Sequence, residues 1–263
     1  MTDLPAEDPL LFEVVEGHIA IIRFNRPQAR NAVDIATAEA LHRAVNQIEA
    51  DPTIRAAILT SSTPGMFCAG ADLKVVAAGR VAELRPGGAG FAGFVDSRRD
   101  KPWIAAVDGP ALGGGCELCL ACDMIVATPA TRFGLPEVKR GMMANGGGTT
   151  RLPRILPRNI ALELIATGET FNAEFAAQYG MVNRLVAAER LLETALGIAR
   201  AIVANAPISV LESLKLARQV GDLPDAELRH VSGERMAVVM ASEDAKEGPR
   251  AFAEKRAPIW QGR

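Results

Sequence analysis

The sequence predicts an α/β fold, and two observations carry that expectation. Apolar, β-branched runs of strand length alternate with segments of helical periodicity up to about residue 146, and helical segments dominate beyond it. The chain has 263 residues, 49% of them hydrophobic and 23% charged, which is enough for one large core.

In chain order, Leu11–Glu16 and Ile19–Phe24 read as strands joined by a two-residue turn at Gly17-His18. Thr37–Ala50 carries Ala38, Leu41, Val45 and Ile48 at helical spacing, and Asp51-Pro52 stops it. Ala56–Thr60 is a short buried strand, followed by the turn-rich stretch Ser61–Gly70. The Gly-rich run Arg85–Gly93 reads as a mobile loop. Ile104–Val107 is a strand leading through Gly109-Pro110 into Gly113-Gly114-Gly115, then a helix over Cys116–Ala121 and a strand over Met124–Ala127. Helices follow over Thr149–Ile155, Asn159–Thr167, Ala173–Tyr179, Arg190–Asn205, Ile208–Val220, Asp225–Met240 and Glu243–Lys255, interrupted by a strand-like run at Met181–Val186.

Several functions are disfavoured at once. A net charge of −2 does not suit phosphate-rich nucleic acid. No run approaches the roughly 18 apolar residues of a membrane span. Met1–Pro9 is acidic and lacks the regions of a signal peptide, so a cytoplasmic protein is expected. Cys116, Cys119 and Cys122 are spaced as in an iron–sulfur motif, but Val126 stands where a fourth ligand would, and one buried helix face explains the spacing. Gly88–Gly93 matches G-x-G-x-x-G without the preceding buried strand that a dinucleotide site needs.

Chemistry points elsewhere. Cys68-Ala69-Gly70-Ala71-Asp72-Leu73 and Gly113-Gly114-Gly115-Cys116-Glu117 each follow a buried strand and precede an expected helix start. Free N–H groups there suit a polarised oxygen, and two such turns face to face would make an oxyanion hole; singly, each is also a plain tight turn. Glu117 falls in the first turn of an apolar helix, and Glu137 follows Phe133-Gly134-Leu135-Pro136. Two partly buried glutamates can hold a water between them and pass protons. Each also reads as a first-turn helix acid.

Four segments resemble, in order, the motifs of the enoyl-CoA hydratase/isomerase (crotonase) superfamily: Phe67–Lys74, Asp108–Leu118, Phe133–Val138 and Gly147–Pro153. Asn25-Arg26-Pro27, Gly180-Met181-Val182 and residues 242–263 extend the likeness from about Phe12 to the C-terminus. The resemblance implies a spiral of ββα repeats over residues 1–200 with the acyl-CoA site, and a helical C-terminal trimerisation region over 201–263. It implies a homotrimer or dimer of trimers, an acyl-CoA thioester as substrate, and no metal or other cofactor. The oxyanion donors would be the N–H groups of Ala71 and Gly114, with Glu117 acting on water and Glu137 on the C2 proton of a 2-enoyl-CoA. The adenine would lie near Ala69, Gly70 and Ala71, and the pantetheine beside Ala71, Asp72, Leu73 and Lys74. Arg26 and Arg30 are candidates for the CoA phosphates, or solvated surface arginines. Phe252 and Lys255 match positions that reach the ligand, often across a subunit boundary, or else serve packing and solvent. Where hydratases commonly read Pro-x-Ala-Gly-Gly-Thr, this chain has Ala144-Asn145-Gly146-Gly147-Gly148-Thr149, and Asn145 would suit a polar acyl group. Enoyl-CoA hydratase is therefore the expected activity. The alternatives are an isomerase or dehydratase on an unusual polar acyl-CoA, and a non-catalytic CoA- or RNA-binding homologue.

Overall fold

The computed structural model describes residues 8–263; the reading of the N-terminus falls outside the described residues over 1–7. Strands β1 (Leu10–Val15) and β2 (Ile19–Phe24) form the expected hairpin, one residue earlier than the glycine suggested. Glu16 and Gly17 both take positive φ, 52° and 72°, and the His18 N–H donates to Val15 O at 3.2 Å, so Glu16-Gly17 are the central turn residues. Helix α1 (Ile35–Ala50) follows, then β3 (Ala56–Ser61), the short helix α2 (Leu73–Ala77) and β4 (Trp103–Val107).

From β4 the chain turns through Gly109 (φ 79°) into β5 (Pro110–Leu112) and helix α3 (Gly114–Ala121). The same step repeats as β6 (Met124–Ala127), β7 (Arg132–Gly134) and a 3-10 helix over Pro136–Arg140. Each pair sends its first strand to one sheet and its second to another, with a helix after it: the ββα spiral. The main sheet has the order β1-β2-β3-β4-β6-β9, with β9 at Arg184–Leu185 and every pair after the hairpin parallel. The second is β5-β7-β8, with β8 at Thr170–Asn172. Bridges between Val33 and Ala71 and between Cys68 and Ala111 lie beside it.

Two cores explain why the strands read as unbroken apolar runs rather than alternating ones. Ala20, Ile22 and Phe24 face α1, while Ile19, Ile21, Ile58 and Ile104 face Leu191, Ala195 and Ala199 of a later helix over Leu191–Val203. A parallel sheet covered on both faces needs this pattern. In chain order α4 (Gly148–Ile155), α5 (Arg158–Thr167) and α6 (Ala173–Gln178) precede that helix, which is α7. The chain ends in α8 (Pro207–Ala217), α9 (Asp225–Ala241) and α10 (Asp244–Ala253). Their burial is slight, since α9 buries no residue and α8 only Glu212.

The segment expected to be a mobile loop is instead packed. Residues 81–93 fold into three 3-10 turns, and Leu84, Phe91, Ala92 and Phe94 are buried. Glycines at 87, 88, 90 and 93 take the positive φ that such tight turns require. The cysteines lie as the helix reading expected: Cys116 and Cys119 are buried on α3, and burial pushes the Cys122 thiol up to about 12. Among the described residues no single helix is long and apolar enough to cross a membrane.

Candidate active site

The two glycine turns meet. Val33 bonds to both neighbours of Ala71: its N–H donates to Gly70 O at 2.8 Å and its carbonyl accepts from Asp72 N–H at 2.9 Å. In a parallel bridge this leaves the Ala71 amide pointing to the opposite side. On that side stands the start of α3. Gly113 takes φ 54° and ψ −124°, its N–H donates to Gly134 O, and the first intrahelical bond runs from Glu117 N–H to Gly113 O. Gly114 is therefore a first-turn residue whose N–H has no acceptor within the helix. Among the described residues, neither the Ala71 nor the Gly114 amide donates to a protein acceptor. A Cβ placed on Gly70 would lie 3.0 Å from Gly114 N and 2.7 Å from Leu112 O, so only glycine lets the two turns approach this closely.

Both glutamates stand beside these turns. Glu117 is 4% exposed, and its Oε1 accepts the Gly148 N–H at 2.9 Å. Burial raises its pKa against the opposing effect of the Gly148 and Gly146 amides. Glu137 comes from the 3-10 helix after β7, and its Oε1 lies 2.9 Å from where a Cβ on Gly113 would stand. Its Oε2 is buried without a hydrogen-bond partner. Burial, reinforced by the negative charge of Glu117, pushes the Glu137 carboxyl up to about 7. The site thus contains two carboxyl groups held toward their protonated forms. Their pKa values belong to a coupled pair.

A cavity of about 530 Å³ joins these groups. It is lined by Ala69, Gly70, Ala71, Asp72, Leu73 and Lys74 on one side and by Gly114, Glu117, Glu137 and Asn145 on another, with Arg30 also in its wall. These are the residues the sequence singled out, save three. Arg26 does not line the cavity: its guanidinium is taken by Asp34 at 2.9 Å, by Asp72 at 3.5 Å and by the Ala32 carbonyl. Phe252, 86% exposed, and Lys255 stand at the end of α10, also outside it. Other lining residues escaped the sequence reading. Arg85 and Phe91 come from the segment expected to be a mobile loop, Leu84 from just before it, and Met142 and Met143 from the turn before α4. One of them is signalled by glycine: a Cβ on Gly114 would overlap the Phe91 ring, just as one on Gly146 would overlap the Glu117 carboxylate.

A ββα spiral with its cavity between the two glycine turns is the crotonase fold. A family model described as enoyl-CoA hydratase/isomerase matches residues 15–263, and the chain belongs to that family. It is 42% identical over 252 residues to a carnitinyl-CoA dehydratase of Salmonella typhi, covering 94% of this chain and 96% of that protein. Among solved structures, an enoyl-CoA hydratase from Mycobacterium tuberculosis H37Rv is 41% identical with a TM-score of 0.92, covering 98% of this chain and 100% of that one. A carnitinyl-CoA dehydratase from Mycobacterium avium 104 is 43% identical with a TM-score of 0.76, covering 97% and 99%.

Proposed function

We propose that this chain interconverts a 2-enoyl-CoA and a 3-hydroxyacyl-CoA by adding or removing water across C2–C3. One observation carries the reading: two carboxyl groups of raised pKa share a cavity with two acceptor-free backbone amides. In the hydration direction the thioester oxygen accepts from the Ala71 and Gly114 N–H groups. Glu117 takes a proton from water as its oxygen bonds to C3, and the C2–C3 π electrons shift toward the carbonyl. Charge then develops on that oxygen, where preorganised donors stabilise it most. The enolate collapses as Glu137 delivers its proton to C2. Dehydration retraces the path, with Glu137 removing the C2 proton and Glu117 protonating the leaving hydroxyl. The pair carries one proton at the start and one at the end. This chemistry asks for no metal or redox group, because the amides carry the enolate charge. The CoA portion would lie along Ala69–Lys74, with Arg30 within reach of its phosphates.

The names of the relatives favour a second reading, dehydration of a substituted 3-hydroxyacyl-CoA, which is the same site run in reverse. A panel of enoyl-CoA esters, followed at the absorbance of the conjugated thioester and by product mass, tests both. Hydration adds the mass of water, whereas an isomerase leaves mass unchanged. Glu117→Gln and Glu137→Gln are each expected to lower kcat by about 10²–10⁴-fold. Turnover that survives both substitutions would rule out the two-carboxylate mechanism, and failure of every ester would favour a non-catalytic CoA binder.

A further inference from the structure

The cavity lining carries charge that the hydration chemistry does not use. Besides Glu117 and Phe91 the lining includes Leu84, the exposed Arg85, Arg140, Met142 and Asn145. Arg85 has no carboxylate partner among the described residues: its neighbour Glu83 is held by Arg80 at 2.6 Å. The acids in the cavity wall are Asp72, Glu117 and Glu137; Asp72 already faces Arg26, and the glutamates are committed to proton transfer. Phe91 is the one aromatic residue among those lining the cavity. A quaternary ammonium has no N–H to donate, so it is recognised by aromatic faces or carboxylates. The lining supplies one ring and four cations instead, Arg30, Lys74, Arg85 and Arg140. A guanidinium, by contrast, pairs with a carboxylate through two parallel hydrogen bonds. Burial dominates the raised pKa of Glu117, and Arg151 and then Arg85 are among the charges that oppose it, so Arg85 lies within electrostatic range of the reaction centre.

We infer that the acyl group this site accepts ends in a carboxylate, received by the Arg85 guanidinium, and that an acyl group ending in a quaternary ammonium is turned away. The inference rests on the hydro-lyase reading above and sets this chain apart from the carnitinyl substrate in its relatives' names, since a carnitinyl group bears a trimethylammonium.

Three 2-enoyl-CoA esters of matched length, ending in carboxylate, methyl or trimethylammonium, test it through kcat/KM. Calorimetric titration of their saturated counterparts gives the binding order independently of turnover. The wild type is expected to favour the carboxylate over the methyl ester by about tenfold, the factor of one charge-assisted contact. It is expected to handle the trimethylammonium ester worst. Arg85→Met should bring the carboxylate-to-methyl ratio to about one, and Arg85→Glu should invert the order. Equal or better use of the trimethylammonium ester by the wild type, or a ratio that survives Arg85→Met, overturns the inference. Turnover of all three esters without a charge order sinks it and leaves the hydro-lyase reading standing. The expected binding order with no turnover does the reverse.

Discussion

Glu137 decides two properties at once. Its carboxyl, at about 7 against an ordinary 4.5, binds its proton more tightly in the folded chain than in the unfolded one. Its contribution to stability is therefore present below about pH 4.5 and lost as pH rises through about 7. Glu137→Gln removes this dependence, so the variant should melt higher than wild type at pH 8, with the advantage shrinking at pH 5, while losing activity. Thermal scans at the two values check this; a variant no more stable at pH 8 contradicts it. The same residue sets the pH–rate profile. Hydration starts with the proton on Glu137 and dehydration with it on Glu117, but both need a pair holding one proton. The two directions must then share one bell-shaped kcat/KM profile, falling on the alkaline side as the pair loses that proton near pH 7. Opposite profiles in the two directions would contradict the shared-proton scheme. Gly146 is the other telling position. Alanine there would press on the Glu117 carboxylate and drive it from the Gly148 N–H. Displacement of a catalytic group by about 1 Å costs on the order of 10²-fold, so Gly146→Ala should lose about that in kcat while its melting temperature stays near wild type.

Among the elements, the turn that carries Ala71 is held from α1. The N-cap Asp34 accepts from Thr37 N–H at 2.8 Å and pairs with Arg26, which also reaches Asp72, the N-cap of α2. Arg26 thus ties two helix starts on either side of Ala71, a structural task for an arginine that the sequence offered as a phosphate ligand. Asp34→Ala should cost about 1–2 kcal/mol in denaturant unfolding, the range for a lost cap. It should also raise KM more than a cap distant from the cavity would. These short elements mark the limit of what the sequence could reveal. Long strands such as β2 and helices such as α1 show several periods and were legible. Strands β5, β7 and β8, three residues each, show barely one period and were not. Glycine density made Arg85–Gly93 look mobile, although Phe91 and Ala92 among those glycines, and Leu84 and Phe94 at its two ends, are buried and hold the segment down. The oxyanion turns and both glutamates were legible because each sits in a continuous motif. Arg85 and Met143 reach the cavity by tertiary convergence, which leaves no local pattern.

At the level of the whole molecule, the C-terminal helices leave apolar surface uncovered. Met236 and Met240 are 58% and 62% exposed and stand one helical turn apart on α9; Val220, in the turn between α8 and α9, is 68% exposed. Patches of this kind mark contact surfaces, and identical chains close them by rotational symmetry. We expect the chain to self-associate through this region, as the resemblance implied with its homotrimer or dimer of trimers. Self-association would also give a role to Phe252 and Lys255, which do not line their own chain's cavity and would complete that of a neighbour. Light scattering after gel filtration should give a multiple of three chains, and Met236→Glu with Met240→Glu should shift the mass toward one chain. The cross-subunit arrangement makes a further demand: Lys255→Ala in the intact assembly should raise KM for the CoA thioester with kcat nearly unchanged, because it removes binding shared by ground and transition states. The dissociated double variant should show the same rise without any change at residue 255. A chain that stays monomeric at micromolar concentration, with full activity and an unchanged KM in Lys255→Ala, would instead leave each cavity complete within its own chain.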